Sequence, residues 1–130
     1  VGHTGIYHAA RIGVESVDLA LGRILPVVCE TEGILVVTAD HGNAEEMFEI
    51  DKKTGQVKVD GQGRPKGKTA HTLNPVWFIV YDPVNGSKLR IDPGVKEPGL
   101  TNVASTCYRL LGLEPPELYD PSIVVYDMSS

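Results

Sequence analysis

Apolar and polar positions alternate along this chain in two distinct spacings. From about Ile6 to Cys29, the residues Ile6, Ala9, Ala10, Gly13, Val17, Ala20, Leu21, Ile24 and Val28 recur every three or four positions. That is the period of an amphipathic helix. Arg11 and Asp18 fall on its other faces. Glu30-Thr31-Glu32-Gly33 reads as the turn that ends it, with Gly33 free to take a conformation other residues avoid. Ile34 to Thr38 is then a continuous, mostly β-branched run, the pattern of a strand buried on both faces.

Beyond Asn43 the pattern loosens. Ala44 to Ile50 fits either a short helix or a strand. Asp51 to Lys68 is rich in Gly, Lys and Asp, and Gln56-Val57-Lys58-Val59 alternates between Gly55 and Asp60-Gly61. This predicts a small, exposed hairpin. Val76 to Tyr81 is a second apolar strand, ended by Asp82-Pro83, and Lys88 to Ile91 fits a further short one. Leu100, Val103, Ala104, Cys107, Tyr108 and Leu111 form a helical stripe, from a cap at Thr101 or Asn102 to Gly112. The tail, with Pro115, Pro116 and Pro121, reads as extended and looping. Helix and strand in this order predict an α/β sandwich with a largely parallel sheet, although the strands are too few to complete one.

Composition changes this picture little. A chain of 130 residues is long enough for one modest domain. Its 12 basic and 17 acidic residues give a net charge of −5, which argues against a nucleic-acid surface. Arg64, Lys66 and Lys68 form one small basic patch, read as a solvated loop. No apolar run reaches the roughly 18 to 20 residues that span a bilayer, and no targeting signal opens the chain. Cys29 and Cys107 stand far apart in apolar contexts and read as buried free thiols, in keeping with a cytoplasmic setting. The chain opens on the polar motif Val1-Gly2-His3-Thr4-Gly5, without an initiating Met, and so reads as a fragment.

The candidate chemistry lies at the ends of these elements. Asp40 and His41 follow the strand-like run directly. In α/β enzymes the carboxyl edge of the sheet is where strands present functional groups. Imidazole and carboxylate together suit a divalent metal such as manganese, zinc or cobalt. His3, between two glycines, precedes the long helix, and His71 precedes the second apolar strand. The plain alternative is an Asp-His turn cap with two loop histidines. Taken jointly, three His and one Asp near element ends fit a two-metal phosphoryl-transfer site, but four ligands are too few for two ions. No Ser or Thr stands in a nucleophile motif, and His8, on the helix, has no comparable context.

Three motifs carry a resemblance. They are Val1-Gly2-His3-Thr4-Gly5, the octapeptide from Thr38 to Glu45, and Thr69-Ala70-His71-Thr72-Leu73-Asn74-Pro75-Val76. Together they resemble the cofactor-independent phosphoglycerate mutases of the alkaline phosphatase superfamily. The similarity extends through residues 99–104, 110–113 and 119–122. Trp77 departs from it, standing where the family pattern has Pro, and the stretch from Asp51 to Lys68 is longer than in compact members.

The resemblance implies a three-layer sandwich of alkaline phosphatase type, of which residues 1–130 would be a C-terminal segment of the metal-binding phosphatase domain. It implies interconversion of 3-phosphoglycerate and 2-phosphoglycerate in glycolysis through a phosphoserine. It also implies two divalent ions, manganese first, with cobalt, magnesium or zinc as alternatives. His3 and His71 would serve one ion, and Asp40 and His41 the other. The nucleophilic Ser, further Asp ligands and the substrate-holding domain would lie in the remainder of the parent chain, so the chain alone is expected to be inactive. Its partner would be a small phosphoglycerate, with no nucleic acid and no membrane. Two readings stand beside this one: another phosphomutase or phosphatase of the superfamily, and a non-catalytic metal-binding domain.

Overall fold

The computed structural model describes residues 1–127. In chain order they form α1 (Tyr7–Glu30), β1 (Leu35–Val37), β2 (Ile79–Tyr81), β3 (Leu89–Ile91), α2 (Asn102–Leu110) and β4 (Val124–Tyr126), with 3-10 turns at Gly2–Thr4 and Gly86–Lys88. The class is α/β. β1 and β2 make one two-stranded sheet, and β3 and β4 another. The chain divides into two compact units, one from Val1–Val27 and Val37–Ile79, the other from Val28–Val36 and Val80 onward. No helix among the described residues is long and apolar enough to cross a membrane.

α1 follows its predicted bounds closely. It carries Pro26 in its last turns, where the missing N–H leaves one carbonyl of the helix without its usual partner. The turn after it differs from expectation. The left-handed φ of 51° belongs to Glu32 and not to Gly33. Gly33 instead closes the helix through its N–H, which donates to the Val28 carbonyl at 2.9 Å. α1 buries only Ala10 fully, while Ile12, Val17 and Leu19 are about 60% exposed or more. β1 is likewise half-buried along its length, not enclosed on both faces.

In the first unit the predicted hairpin is a three-stretch meander. Isolated bridges join Phe48 to Gly67, Ile50 to Val57 and Val59 to Pro65. Each stretch bonds the other two: Lys58 N–H donates to the Glu49 carbonyl, Glu49 N–H to Lys66, and Lys66 N–H to Lys58, at 2.8–2.9 Å. Ala44 to Ile50 therefore forms neither a helix nor a regular strand. Four basic residues of the excursion are met by nearby carboxylates. Lys58 and Lys66 flank the Glu49 carboxylate, Arg64 pairs with Asp60, and Lys68 with Glu46. The last residues of the excursion are not solvated. Lys68 N–H bonds the Met47 carbonyl, and Gly67 lies so close to the Gly5 carbonyl that no side chain would fit there.

In the second unit β3 and β4 pair antiparallel, with Leu89 opposite Tyr126, Arg90 opposite Val125 and Ile91 opposite Val124. The tail thus holds a strand where a loop was expected. Its prolines dominate the local sequence, but Pro121 precedes the β-branched run Ile123-Val124-Val125 and interrupts no pairing. α2 ends as predicted at Gly112, whose φ of 73° lets Leu113 N–H reach back to the Tyr108 carbonyl at 2.9 Å.

The buried face of α2 is the polar one. Asn102, Ser105 and Thr106 are buried, whereas Leu100 and Leu111 of the apolar stripe are exposed. The tail runs across this face and satisfies it. Ser105 Oγ donates to the Asp120 carbonyl, Asn102 Nδ2 to the Pro121 carbonyl at 2.8 Å, and Ile123 N–H to Thr106 Oγ1 at 2.9 Å. Asn102 Oδ1 also accepts from Gly99 N–H, so Asn102 and not Thr101 supplies the side-chain bond at the start of the helix. The two cysteines are free, but Cys29 is exposed, its sulfur 3.2 Å from the Tyr81 hydroxyl, and Cys107 is half-buried.

Candidate metal centre

Three loops of the first unit bring their histidines together. His3 lies in the middle of the short 3-10 turn before α1, His41 lies four residues beyond β1, and His71 eight residues before β2. One potential ligand atom from each lies within 4.8 Å of the other two. The His41 and His71 rings stack at 3.7 Å with 11° between their planes, and His3 sits tilted 5.3 Å and 4.9 Å from them. His3 and His71 are exposed and His41 is half-buried.

Their hydrogen bonds decide which nitrogens are available. His3 Nδ1 is 3.2 Å from the Thr69 carbonyl, and His41 Nδ1 is 3.1 Å from the Gly42 carbonyl. A carbonyl only accepts, so Nδ1 carries a proton in both rings, and in the neutral form of each ring Nε2 is the lone-pair nitrogen. Metal-binding histidines are commonly oriented in this way, with the second ring nitrogen donating to a backbone carbonyl. Asp40, strongly exposed, lies beside this group, its Oδ1 3.6 Å from His41 Nε2. The four residues singled out in the sequence thus fall in one place, with the three histidines as the tight cluster and Asp40 at its side. His8 is exposed on α1, its ring against Tyr7.

Sequence reasoning left without a role the residues that tie these loops together. Glu45 Oε2 accepts from Asn43 N–H at 2.7 Å, while Oε1 accepts from the Thr72 hydroxyl and from Asn74 Nδ2 at 3.1 Å. Asn43 Nδ2 donates to the Ala70 carbonyl at 3.3 Å, and Thr72 N–H to the Gly42 carbonyl at 2.9 Å. Asn43 Oδ1 occupies the place a Cβ on Gly2 would take, beside His3. The Thr72 hydroxyl, the Glu45 backbone N–H, the Asn74 amide and the Asn43 N–H together hold the Glu45 carboxyl down at about 2, against a smaller opposing pull from burial. Glu45 is therefore an anion, acceptor only, at every working pH. The signal was present in the sequence, as Asn43, Glu45, Thr72 and Asn74 lie inside the two longer motifs.

The donor set fits a divalent ion. Three imidazoles and a nearby carboxylate suit zinc, manganese, cobalt or iron, and the three histidine ligand atoms lie close enough together, within 4.8 Å, to share an ion.

Comparison with known proteins agrees. A probable 2,3-bisphosphoglycerate-independent phosphoglycerate mutase of Leptospira interrogans is 48% identical over 125 residues, 95% of this chain and 22% of its own length. The 2,3-bisphosphoglycerate-independent phosphoglycerate mutase 1 of Arabidopsis thaliana is 40% identical over 124 residues, again 95% of this chain and 22% of that protein. Among solved structures, a Leishmania mexicana phosphoglycerate mutase crystallised at low cobalt concentration superposes with a TM-score of 0.89 at 39% identity, covering 97% of this chain and 23% of that one. The chain spans about a fifth of the length of these relatives. The family model of the metalloenzyme superfamily matches residues 1–115, a span that holds His3, Asp40, His41 and His71, and this chain belongs to that superfamily.

Proposed function

We propose that this chain is the C-terminal segment of the metal-binding phosphatase domain of a cofactor-independent phosphoglycerate mutase, a cytoplasmic glycolytic isomerase. The observation that carries the reading is the meeting of His3, His41 and His71, with Nδ1 of two rings bonded to backbone carbonyls, inside a segment 48% identical to a relative of that name. In the complete protein the segment forms part of a three-layer sandwich with a largely parallel sheet. His3 and His71 serve one divalent ion, and Asp40 and His41 the other. Two such ions, manganese first and cobalt, magnesium or zinc otherwise, would when bound supply positive charge for phosphoryl transfer.

This chain's own part is to hold neutral imidazoles and a carboxylate in fixed loops. The carbonyls of Thr69 and Gly42 keep His3 and His41 in the tautomer that offers Nε2. The serine that carries the phosphoryl group between the 3- and 2-positions of phosphoglycerate belongs to the rest of the protein, as do the groups that hold the substrate. A segment without that nucleophile has no intermediate through which to work. The net charge of −5 speaks against nucleic acid and anionic membranes as partners.

The test uses the full-length protein with the His71→Ala and Asp40→Ala variants, measuring bound metal by elemental analysis after dialysis together with mutase turnover. Loss of a ligand should cost at least about a hundredfold in turnover in both, more than removal of an outer partner typically does. His71→Ala should release one ion and Asp40→Ala the other. Two tightly held ions with near-normal turnover in either variant would overturn the ligand assignment. The purified 130-residue chain should show no mutase turnover, and sustained interconversion by it would refute the division of labour.

A further inference from the structure

We propose that Glu45 is a positioning residue that fixes the Asp40–His41 loop at one separation from the His71 loop, acting through the Thr72 hydroxyl. The inference rests on the metal reading above and goes beyond it, because Glu45 touches none of the four ligand residues.

The geometry leads there by three routes. First, the Glu45 carboxylate divides its two oxygens between the loops. Oε2 takes the N–H of Asn43, two residues after His41, and Oε1 takes the hydroxyl of Thr72 and the amide of Asn74, one and three residues after His71. A charged acceptor shared by donors from two segments fixes their distance more firmly than a neutral pair, since such bonds are shorter and stronger. Second, the contact has been given room. A Cβ on Gly42 would collide with Thr72 Oγ1 and with Glu45 Oε1, so the strut passes directly over the residue that follows His41. Gly42 is buried, as is Thr72. Third, the Gly42–Thr72 bridge and the Asn43–Ala70 bond hold the same two loops on the backbone side, so that the carboxylate closes a ring of contacts around the stacked His41 and His71. A shift of about 1 Å in such a ring would displace one imidazole relative to the other, and metal sites lose affinity when their supporting shell is left loose.

The experiment is a cobalt(II) titration of the metal-free full-length protein, read by the visible absorption of bound cobalt and by metal content after dialysis. Wild type is compared with Glu45→Gln, Thr72→Val, Thr72→Ser and Asn74→Ala, and circular dichroism checks each fold. Thr72→Val keeps the volume and removes the hydroxyl, whereas Thr72→Ser keeps the hydroxyl. Expected are two bound ions in wild type, a loss of about 10- to 100-fold in affinity with an altered cobalt spectrum in Glu45→Gln and Thr72→Val, and retention within about threefold in Thr72→Ser. Asn74 is exposed, so Asn74→Ala keeps the fold and should show a smaller loss of the same kind even if the Glu45 variant does not fold.

If wild type takes up no cobalt, the metal reading itself fails and this inference with it. If wild type binds two ions while Thr72→Val and Asn74→Ala bind them equally well with an unchanged spectrum, Glu45 is no positioning residue and the metal reading stands. If Thr72→Ser is as impaired as Thr72→Val, the hydroxyl is not the contact through which Glu45 acts, and the inference is equally overturned.

Discussion

Glu45, in the unit that carries the histidines, and Asp82, in the unit that carries α2, each accept three hydrogen bonds from near and distant residues. Glu45 takes Asn43 N–H, the Thr72 hydroxyl and the Asn74 amide. Asp82 takes Val84 N–H at 2.9 Å, Asn85 N–H at 2.8 Å and the Tyr126 hydroxyl at 2.8 Å. Both carboxyls are held below the ordinary range. At Asp82 burial pushes upward, but the Asn85, Tyr126 and Val84 donors outweigh it. The surroundings differ. Thr72 and Asn43 lie within two residues of His71 and His41 of the histidine cluster, whereas Asp82 follows β2 and fastens it to Tyr126 of β4, with no second ligand group among its partners. Saturating a carboxylate with donors is thus a general way to brace two segments. What the braced segments carry decides whether the brace matters to chemistry.

Three substitutions in the full-length protein would sharpen or break this contrast. Gly42→Ala should have the largest effect. The added methyl forces apart the Thr72–Glu45 contact, at a cost of about 1–3 kcal/mol typical of overpacking, with release of bound cobalt. Denaturant unfolding and metal content measure both, and wild-type values for both would show that the brace is not seated as described.

Tyr126→Phe should cost about 1 kcal/mol at neutral pH, the net worth of one hydrogen bond, and leave cobalt uptake unchanged. Its pH dependence follows from both partners. The Asp82 contribution is present above its unfolded pKa of about 3.9 and lost as pH falls through its lowered folded value. Tyr126 is pushed up to about 12, first by burial and then by Asp82. Its contribution is full below its unfolded pKa of about 10 and lost as pH rises toward 12. The difference between variant and wild type should therefore form a plateau between about pH 4 and 10 and shrink at both ends. A difference constant at all pH values, or a loss of bound metal, would erase the contrast with Glu45.

The smallest effect is expected from replacing residues 52–64 by a short turn. Lys58 pairs with Glu49 and Arg64 with Asp60, away from the histidines. Turnover should change by less than about tenfold, or 1.4 kcal/mol of barrier, and a larger loss would give the excursion a part in the site. Residues 66–68 are kept, since Gly67 abuts Gly5 and Lys68 bonds Met47.

α1, the strand cores and the Gly112 cap were legible because their signals are local: a period of 3.6, a β-branched run, a left-handed glycine. The four candidate ligands were legible because they cluster in short polar motifs at element ends. What escaped was decided by partners distant in sequence. β4 depends on β3, 33 residues earlier at the Ile91–Val124 pair and 37 at the Leu89–Tyr126 pair. The buried side of α2 was misjudged because the tail, distant in sequence, supplies the partners that let Asn102, Ser105 and Thr106 be buried. The αL turn fell on Glu32 although a glycine stood next to it, a choice made by the Val28–Gly33 bond and invisible in composition.

The seam between α2 and the tail has a bearing on how this sequence can drift. α2 reads residues 120, 121 and 123 through carbonyls and an N–H, groups that every substitution except proline at 123 leaves in place. Ser122 answers with its side chain, its hydroxyl near Thr106 and bonded to the Val124 carbonyl. Related chains can therefore exchange the side chains at 120 and 123 freely while Asn102, Ser105 and Thr106 stay fixed. Variability in the tail and constancy in a helix face that looks merely hydrophilic would be two signs of the same joint.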